Sequence, residues 1–236
     1  MAKDQPETAT GLIVAAGQGL RMGTRTPKVM LPVGGRPLLA HTLQAFEQAE
    51  TIDQVVLVAS EDLLALMAAE VVDAHKLRKV RRIVPGGARR QDSVRLGLEA
   101  VGPNCRLVAI HDGARPLITP GLIDQAVTQA VRHGAAALAV RPSDTVRRGE
   151  EDTFQVTLDR DKLWLMQTPQ VFSCELILEA HRQAAERRLD GTDDVALVEA
   201  MGYPVRVVEG FRENIKVTTP EDLLYVEAVL SRRSER

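Results

Sequence analysis

The residues best suited to chemistry open the chain. Three glycines (Gly17, Gly19, Gly23) alternate with three cations (Arg21, Arg25, Lys28) directly after a continuous apolar run at residues 12–16. Such a run reads as a buried strand. Glycines after it let backbone N–H groups turn inward and approach an anion with no Cβ in the way. Cationic side chains a few residues on can close over the same anion, and that combination suits a polyphosphate better than a single carboxylate. Two better-known loops do not fit. A Walker A loop places Lys directly after its last Gly, whereas Lys28 follows Pro27. A dinucleotide fingerprint needs a helix at once, and Pro27 and Pro32 delay one until about Pro37.

Further candidates lie downstream. His111-Asp112-Gly113-Ala114-Arg115-Pro116 offers an acid that could reach a ribose or a magnesium ion. Gly86-Gly87-Ala88-Arg89-Arg90-Gln91-Asp92-Ser93 is a second glycine turn before a helical stretch. Each has a plainer explanation alone: Asp-Gly and Arg-Pro are ordinary turn pairs, and Asp92 or Ser93 could simply cap a helix. Thr168-Pro169-Gln170 could be an extended turn, Lys216 a solvated strand residue, and His41 a structural histidine on its helix.

The elements that must position these groups alternate. A helix is expected from Pro37, a strand at 54–59, and a helix capped by Ser60 with Glu61 and Asp62 at its positive end. A strand at 80–84, a helix at 89–101, a strand at 106–110, a helix at 118–130 and a strand at 135–140 follow. This rhythm predicts an α/β fold with a mostly parallel, Rossmann-like sheet and helices on both faces. Ligands of such sheets bind beyond the carboxyl ends of the strands, so residues 17–28, 86–93 and 112–116 should face one crevice. Residues 141–166 break the rhythm as a polar β-hairpin, too polar for core, that projects or packs on a partner. Beyond it come helices capped by Ser173 and starting at Asp193, strands at 205–208 and 215–217, and a last helix opened by Thr219 and Asp222.

Composition narrows the classes. The 236 residues suit one domain, with residues 1–9 read as a flexible N-terminus, and 44% hydrophobic residues supply a full core. A net charge of −2 gives no general attraction to nucleic acid, and 3% aromatic residues argue against a base-stacking surface. Two cysteines, Cys105 and Cys174, are too few for a disulfide framework or a zinc site, which fits a reducing compartment. No run reaches membrane length and residues 1–10 hold no apolar leader, so a soluble cytoplasmic protein is expected.

The spacing Ala15-Ala-Gly-x-Gly-x-Arg-Met…Pro27-Lys28 resembles the signature loop of sugar-phosphate nucleotidyltransferases. The full order of motifs adds Gly86-Gly…Asp-Ser-Val, His-Asp-x-Ala-Arg-Pro, Asp-Thr, Asp-Arg…Leu-Trp, Thr-Pro-Gln, Thr-Asp-Asp and Glu-Asn-Ile-Lys-Val-Thr. It resembles the 2-C-methyl-D-erythritol 4-phosphate cytidylyltransferases of non-mevalonate isoprenoid biosynthesis, from about Gly11 to the last helix. Gly113 stands where that family often has Ala, a change that a backbone contact survives.

The resemblance implies roles by position. Residues 15–22, with Ala15, Ala16, Gly17 and Gly19, would wrap CTP, while Arg21 and Lys28 stabilise charge at the α-phosphorus. Gly86, Gly87, Arg89 and Ser93 would hold cytosine, and Asp112 and Ala114 would contact ribose or a hydrated Mg2+. Arg115, Thr168, Lys216 and Thr218 would complete the methylerythritol phosphate site. Thr145 and Arg160 would reach it from the arm of a second subunit in a homodimer.

The chemistry is consistent by itself. A phosphate monoester is already an anionic nucleophile at neutral pH, so no general base is required. In-line positioning and charge neutralisation are required, with Arg160 and Lys216 on the attacking phosphate. The closest rival is a cytidylyltransferase for another alditol phosphate such as ribitol 5-phosphate. A nucleotide-binding regulator would not need Lys28, Arg160 and Lys216 together, and a structural dimer module would bind no CTP.

Overall fold

In the computed structural model, which describes residues 8–17 and 26–234, the central element is a seven-stranded sheet. Its strands in chain order are β1 (Ala9–Val14), β4 (Ile52–Ala59), β5 (Val80–Pro85), β6 (Leu107–Asp112), β7 (Ala135–Val140), β10 (Leu165–Ser173) and β11 (Arg206–Glu209). Across the sheet the order is β11-β7-β10-β6-β1-β4-β5. All neighbours run parallel except β10, which is antiparallel to both β6 and β7. The central strands are apolar along their length because helices cover both faces. One face packs α1 (Leu38–Gln48), α4 (Pro120–His133) and the turn from Leu64–Leu66 into the π-helical Met67–Asp73, here α2, around Phe46, Leu57 and Ile123. The other packs α3 (Arg90–Ala100), α5 (Cys174–Arg187) and α6 (Asp194–Glu199) around Leu12, Ile110 and Phe172. A smaller core joins α7 (Pro220–Ser234) to Val33, Leu38 and Leu117 beside the short hairpin β2 (Pro32–Val33) and β3 (Arg36–Pro37).

The expected α/β class with a mostly parallel sheet is what the chain forms, and four local expectations need correction. Residues 165–173, read from sequence as the hairpin's end and a turn, form β10 in the middle of the sheet. Pro169 argued against a strand because it cannot donate to a ladder. The sheet accommodates it with a register shift between Met166 and Gln170, where the Thr168-Pro169 bond is cis. Ser60 caps nothing: its hydroxyl donates to Ala16 O at 3.0 Å, and a 3-10 turn, Glu61–Leu63, follows. Residues 215–217 are not a strand. The two cysteines are joined in a single disulfide, unforeseen from their number. Antiparallel pairing of Ser173 with Leu107 sets Cys174 beside Cys105, and Cys174 N donates to Arg106 O at 2.9 Å.

The expected projecting hairpin is present as β8 (Arg147–Glu150) and β9 (Thr153–Thr157), with every residue of both strands exposed. Ser173 and Asp193 cap α5 and α6 through side-chain oxygens that accept from Leu176 N and Ala196 N. At α7, Asp222 accepts from Thr219 N at 2.9 Å, the reach-back of a capping box.

Candidate active site

An open cleft of about 1170 Å³ lies beyond the carboxyl ends of β1, β4, β5 and β6. Residues 86–90 line it together with Val14 to Gly17, Pro27 to Val29, Asp112, Ala114, Lys216 and Thr218. Of the three loops expected to share a crevice, the described ends of the first, Gly17 and Pro27 to Lys28, line one together with residues from the other two. Gly19 and Arg21 lie outside the described residues.

The first loop leaves β1 under close control. Ala15 N donates to Val58 O at 2.7 Å, and Gly113 N donates to Val14 O at 2.9 Å. The second glycine turn packs directly on it. A Cβ at Gly86 would collide with Ala16 Cβ, so only glycine brings the two backbones this close. Ser93 is buried at the start of α3, and its hydroxyl accepts from Gly87 N at 3.1 Å and contacts Arg89 O at 3.1 Å. Ser93 therefore shapes the turn that presents Gly86 and Gly87. Arg89 precedes α3 with its guanidinium in solvent, paired to Asp92 and Asp190. Its neighbour Arg90, to which the sequence reading gave no role, turns inward instead.

Asp112 ends β6 at the centre of a cluster of cations. Arg90 Nε donates to its Oδ1 at 3.1 Å, Lys216 Nζ lies 2.9 Å from Oδ2, and Arg115 Nε is 3.6 Å from the same oxygen. Burial alone would raise the Asp112 pKa. Arg90, Lys216 and Arg115 outweigh it and hold the carboxyl well below the usual range, so Asp112 stays ionised. Arg90, itself buried, is held protonated by Asp194 and Asp112 against the opposing effect of burial.

The backbone at Asp112 is fixed from beneath. Asp112 N donates to Thr168 Oγ1 at 3.1 Å, and that hydroxyl lies 3.0 Å from His111 Nδ1. His111 Nε2 faces Arg115 O at 3.3 Å, a carbonyl that can only accept. The proton therefore sits on Nε2, and Thr168 donates to Nδ1. Complete burial pushes the His111 pKa down to about 3, Asp112 opposing, which leaves a neutral ring with both nitrogens engaged. Thr168 is buried below the cleft and does not line it. Arg115 likewise turns away, donating to Asn214 O at 2.8 Å and Met166 O at 3.4 Å.

Val217 ties the remaining pieces together. Its N donates to Ala114 O at 2.8 Å, and its carbonyl accepts from Lys28 Nζ at 2.7 Å. Lys28, Ala114 and Lys216 are thus assembled around one buried residue despite their separation in sequence. Thr145 and Arg160 are exposed and do not line this cleft, and Arg160 donates to Ser143 O at 2.8 Å within the arm.

The donor set also bears on a cation. Both oxygens of Asp112 are engaged, and no group of three or more His, Cys, Asp or Glu side chains occurs among the described residues. Such a site suits a magnesium ion that arrives on a polyphosphate and keeps its water, since Mg2+ is commonly bound through phosphates and one or two carboxylates.

Comparison with known proteins gives this cleft its context. Residues 10–232 match the family model of IspD, 2-C-methyl-D-erythritol 4-phosphate cytidylyltransferase. The enzyme of that name from Pelotomaculum thermopropionicum is 46% identical over 231 residues, covering 98% of this chain and 97% of its own. The crystal structure of 4-diphosphocytidyl-2C-methyl-D-erythritol synthase from Anaerococcus prevotii superposes with a TM-score of 0.85 at 31% identity, covering 96% and 97% of the two chains. That of the Thermus thermophilus cytidylyltransferase gives 0.77 at 35% identity, covering 93% and 98%.

Proposed function

We propose a working for the cleft from one fact: the chain belongs to the 2-C-methyl-D-erythritol 4-phosphate cytidylyltransferase family and has its activity, converting CTP and methylerythritol phosphate to the CDP-alditol and pyrophosphate. The observation that carries the proposal is the convergence of the two glycine turns, Asp112, Lys28 and Lys216 on one cleft. The alditol phosphate oxygen attacks the α-phosphorus, and the bond to the bridging oxygen breaks as pyrophosphate leaves. Arg21 and Lys28 take up charge at that phosphorus, and Lys216 steers the attacking phosphate. Backbone groups of Ala15 to Gly19, Gly86 and Gly87 cradle the nucleotide, with Arg89 at the rim and Ser93 holding the turn. Asp112 and Ala114 meet the ribose. Asp112 would hold magnesium through water, and the ion would offset the triphosphate's negative charge. His111 serves as no base, being neutral with both nitrogens occupied, and the attacking oxygen needs none.

Thr218 lines the alditol end, and Arg115 and Thr168 support it from outside the cleft, Thr168 by fixing the Asp112 backbone. Thr145 and Arg160 reach the cleft of a second copy in a homodimer built through the arm. Support comes from their absence from this chain's own cleft and from the solvent-facing Phe154, Val156 and Leu158 on the arm. We place the enzyme in the cytoplasm, where CTP is available. No helix among the described residues is long and apolar enough to cross a membrane.

Pyrophosphate release with CTP should be fastest with methylerythritol phosphate among a panel of polyol phosphates that includes ribitol 5-phosphate. Faster turnover of ribitol 5-phosphate would reassign the alditol site while leaving the nucleotide site intact.

A further inference from the structure

From Asp112 and Arg90 in the cleft wall, a chain of charged groups runs inward to residues that the transfer itself does not use. Arg90 reaches Asp112 with Nε and, with Nη1, donates to Asp194 Oδ2 at 2.8 Å. Asp194, the first residue of α6, is 1% exposed, and its other oxygen lies 3.2 Å from Nε2 of the buried His181 on α5. Gln170 Oε1 accepts from Asp194 N at 3.1 Å, and Gln170 Nε2 donates to Asp193 at 2.8 Å. The Thr-Pro-Gln and Thr-Asp-Asp stretches therefore lock each other, and together they fix Asp194.

A buried carboxylate is costly, and apolar packing of α6 on α5 would not require one. What Asp194 achieves is a restraint on Arg90. A guanidinium facing a single carboxylate closes on it as a bidentate fork. Shared between two carboxylates, Arg90 gives Asp112 one hydrogen bond, on Oδ1, and leaves Oδ2 to Lys216.

We propose that Asp194, backed by His181, is a positioning residue for the transfer reaction: it holds Arg90 off a bidentate grip and so keeps Asp112 turned toward the nucleotide. The proposal rests on the reading of Asp112 given above. Without Asp194, Arg90 collapses onto Asp112, displaces Lys216 from Oδ2 and blocks the approach of ribose or a hydrated cation.

The test is a double-mutant cycle on the full-length enzyme with Asp194→Asn and Asp112→Asn, reading kcat, both KM values and the melting temperature. Asparagine keeps the side-chain shape and can turn its amide to His181, so the fold survives, while its neutral oxygen no longer competes with the Asp112 carboxylate for Arg90. Asp194→Asn should lower kcat about 10- to 100-fold, the range for partners of functional ligands, with KM for the alditol phosphate within about twofold. In the Asp112→Asn background the same change should alter kcat by less than about twofold, because no carboxylate remains to be held. Unchanged kcat in the single variant, or losses that multiply in the double, overturns the positioning role. If Asp112→Asn itself costs no turnover, the reading of Asp112 fails and the proposal fails with it. Should Asp194→Asn not fold, His181→Gln takes its place in the cycle under the same criteria.

Discussion

Lys28 answers two demands at once. Its ammonium faces the cleft and also donates to Val217 O, tying the first loop to the Lys216 segment. Losing one preorganised donor to transition-state charge typically costs about 3–4 kcal/mol of barrier, whereas losing one hydrogen bond costs stability about 1 kcal/mol. Lys28→Ala should therefore reduce kcat by roughly 100- to 1000-fold and move the thermal midpoint only slightly, as read by pyrophosphate release and a melting curve. Near-normal turnover in a folded variant would remove Lys28 from the chemistry. At this scale the sequence was informative about residue types and weak about direction. Two adjacent arginines, Arg89 and Arg90, look alike in a string. Which one turns inward depends on where α3 starts, at Arg90, and boundaries are the least legible part of an element. Asp194 carried no signal as a partner of Arg90, because 104 residues separate them.

Among elements, the arm makes the sharpest demand. An isolated two-stranded hairpin is marginal in water, and Phe154 on this one is 81% exposed. Pairing with a second copy about a two-fold axis would cover it. If the arms exchange, Arg160 serves the cleft whose Lys28 belongs to the other subunit. Lys28→Ala and Arg160→Ala homodimers should then both be nearly inactive. Refolding the two together makes about half the dimers mixed, each with one intact site, so roughly a quarter of wild-type activity should return. Confirmed subunit exchange with no recovery would mean that Arg160 serves its own chain. The arm was legible because polar alternation around Gly149 cannot be core. The strand after it, β10, was not. Its Pro169 mimics a turn, and only the neighbouring strands β6 and β7 show that the ladder resumes at Gln170.

For the molecule as a whole, the burial of His111 and the partial burial of His41 work against the folded state as the pH falls. His111 takes up a proton near pH 3 in the folded chain but near 6.5 once unfolded. Its contribution is full above about pH 6.5 and declines below that by at most about 1.4 kcal/mol per unit. His41, lowered by its own burial against a hydrogen bond to Val33 O, acts in the same direction. Urea midpoints should therefore fall between pH 7 and pH 5, before the carboxylates titrate. His111→Asn should flatten that fall, and an equally steep one would place the titrating group elsewhere. The α/β class was legible at this scale because buried parallel strands and amphipathic helices alternate with short connections. The cysteine pairing was not, since it follows from the register of β10 on β6.

The placement of β10 also orders events during synthesis. A chain growing from its N-terminus completes β6 at Asp112, yet the strand that covers the open side of β6 begins only at Leu165. Until then the nascent sheet carries an unpaired apolar edge in its middle, the kind of surface that recruits other chains. The arm is made within that interval, between Arg147 and Thr157, so the segment that would recruit a second subunit emerges before the first is closed. A chain stalled between the two would offer its neighbours both an exposed hairpin and a half-finished sheet.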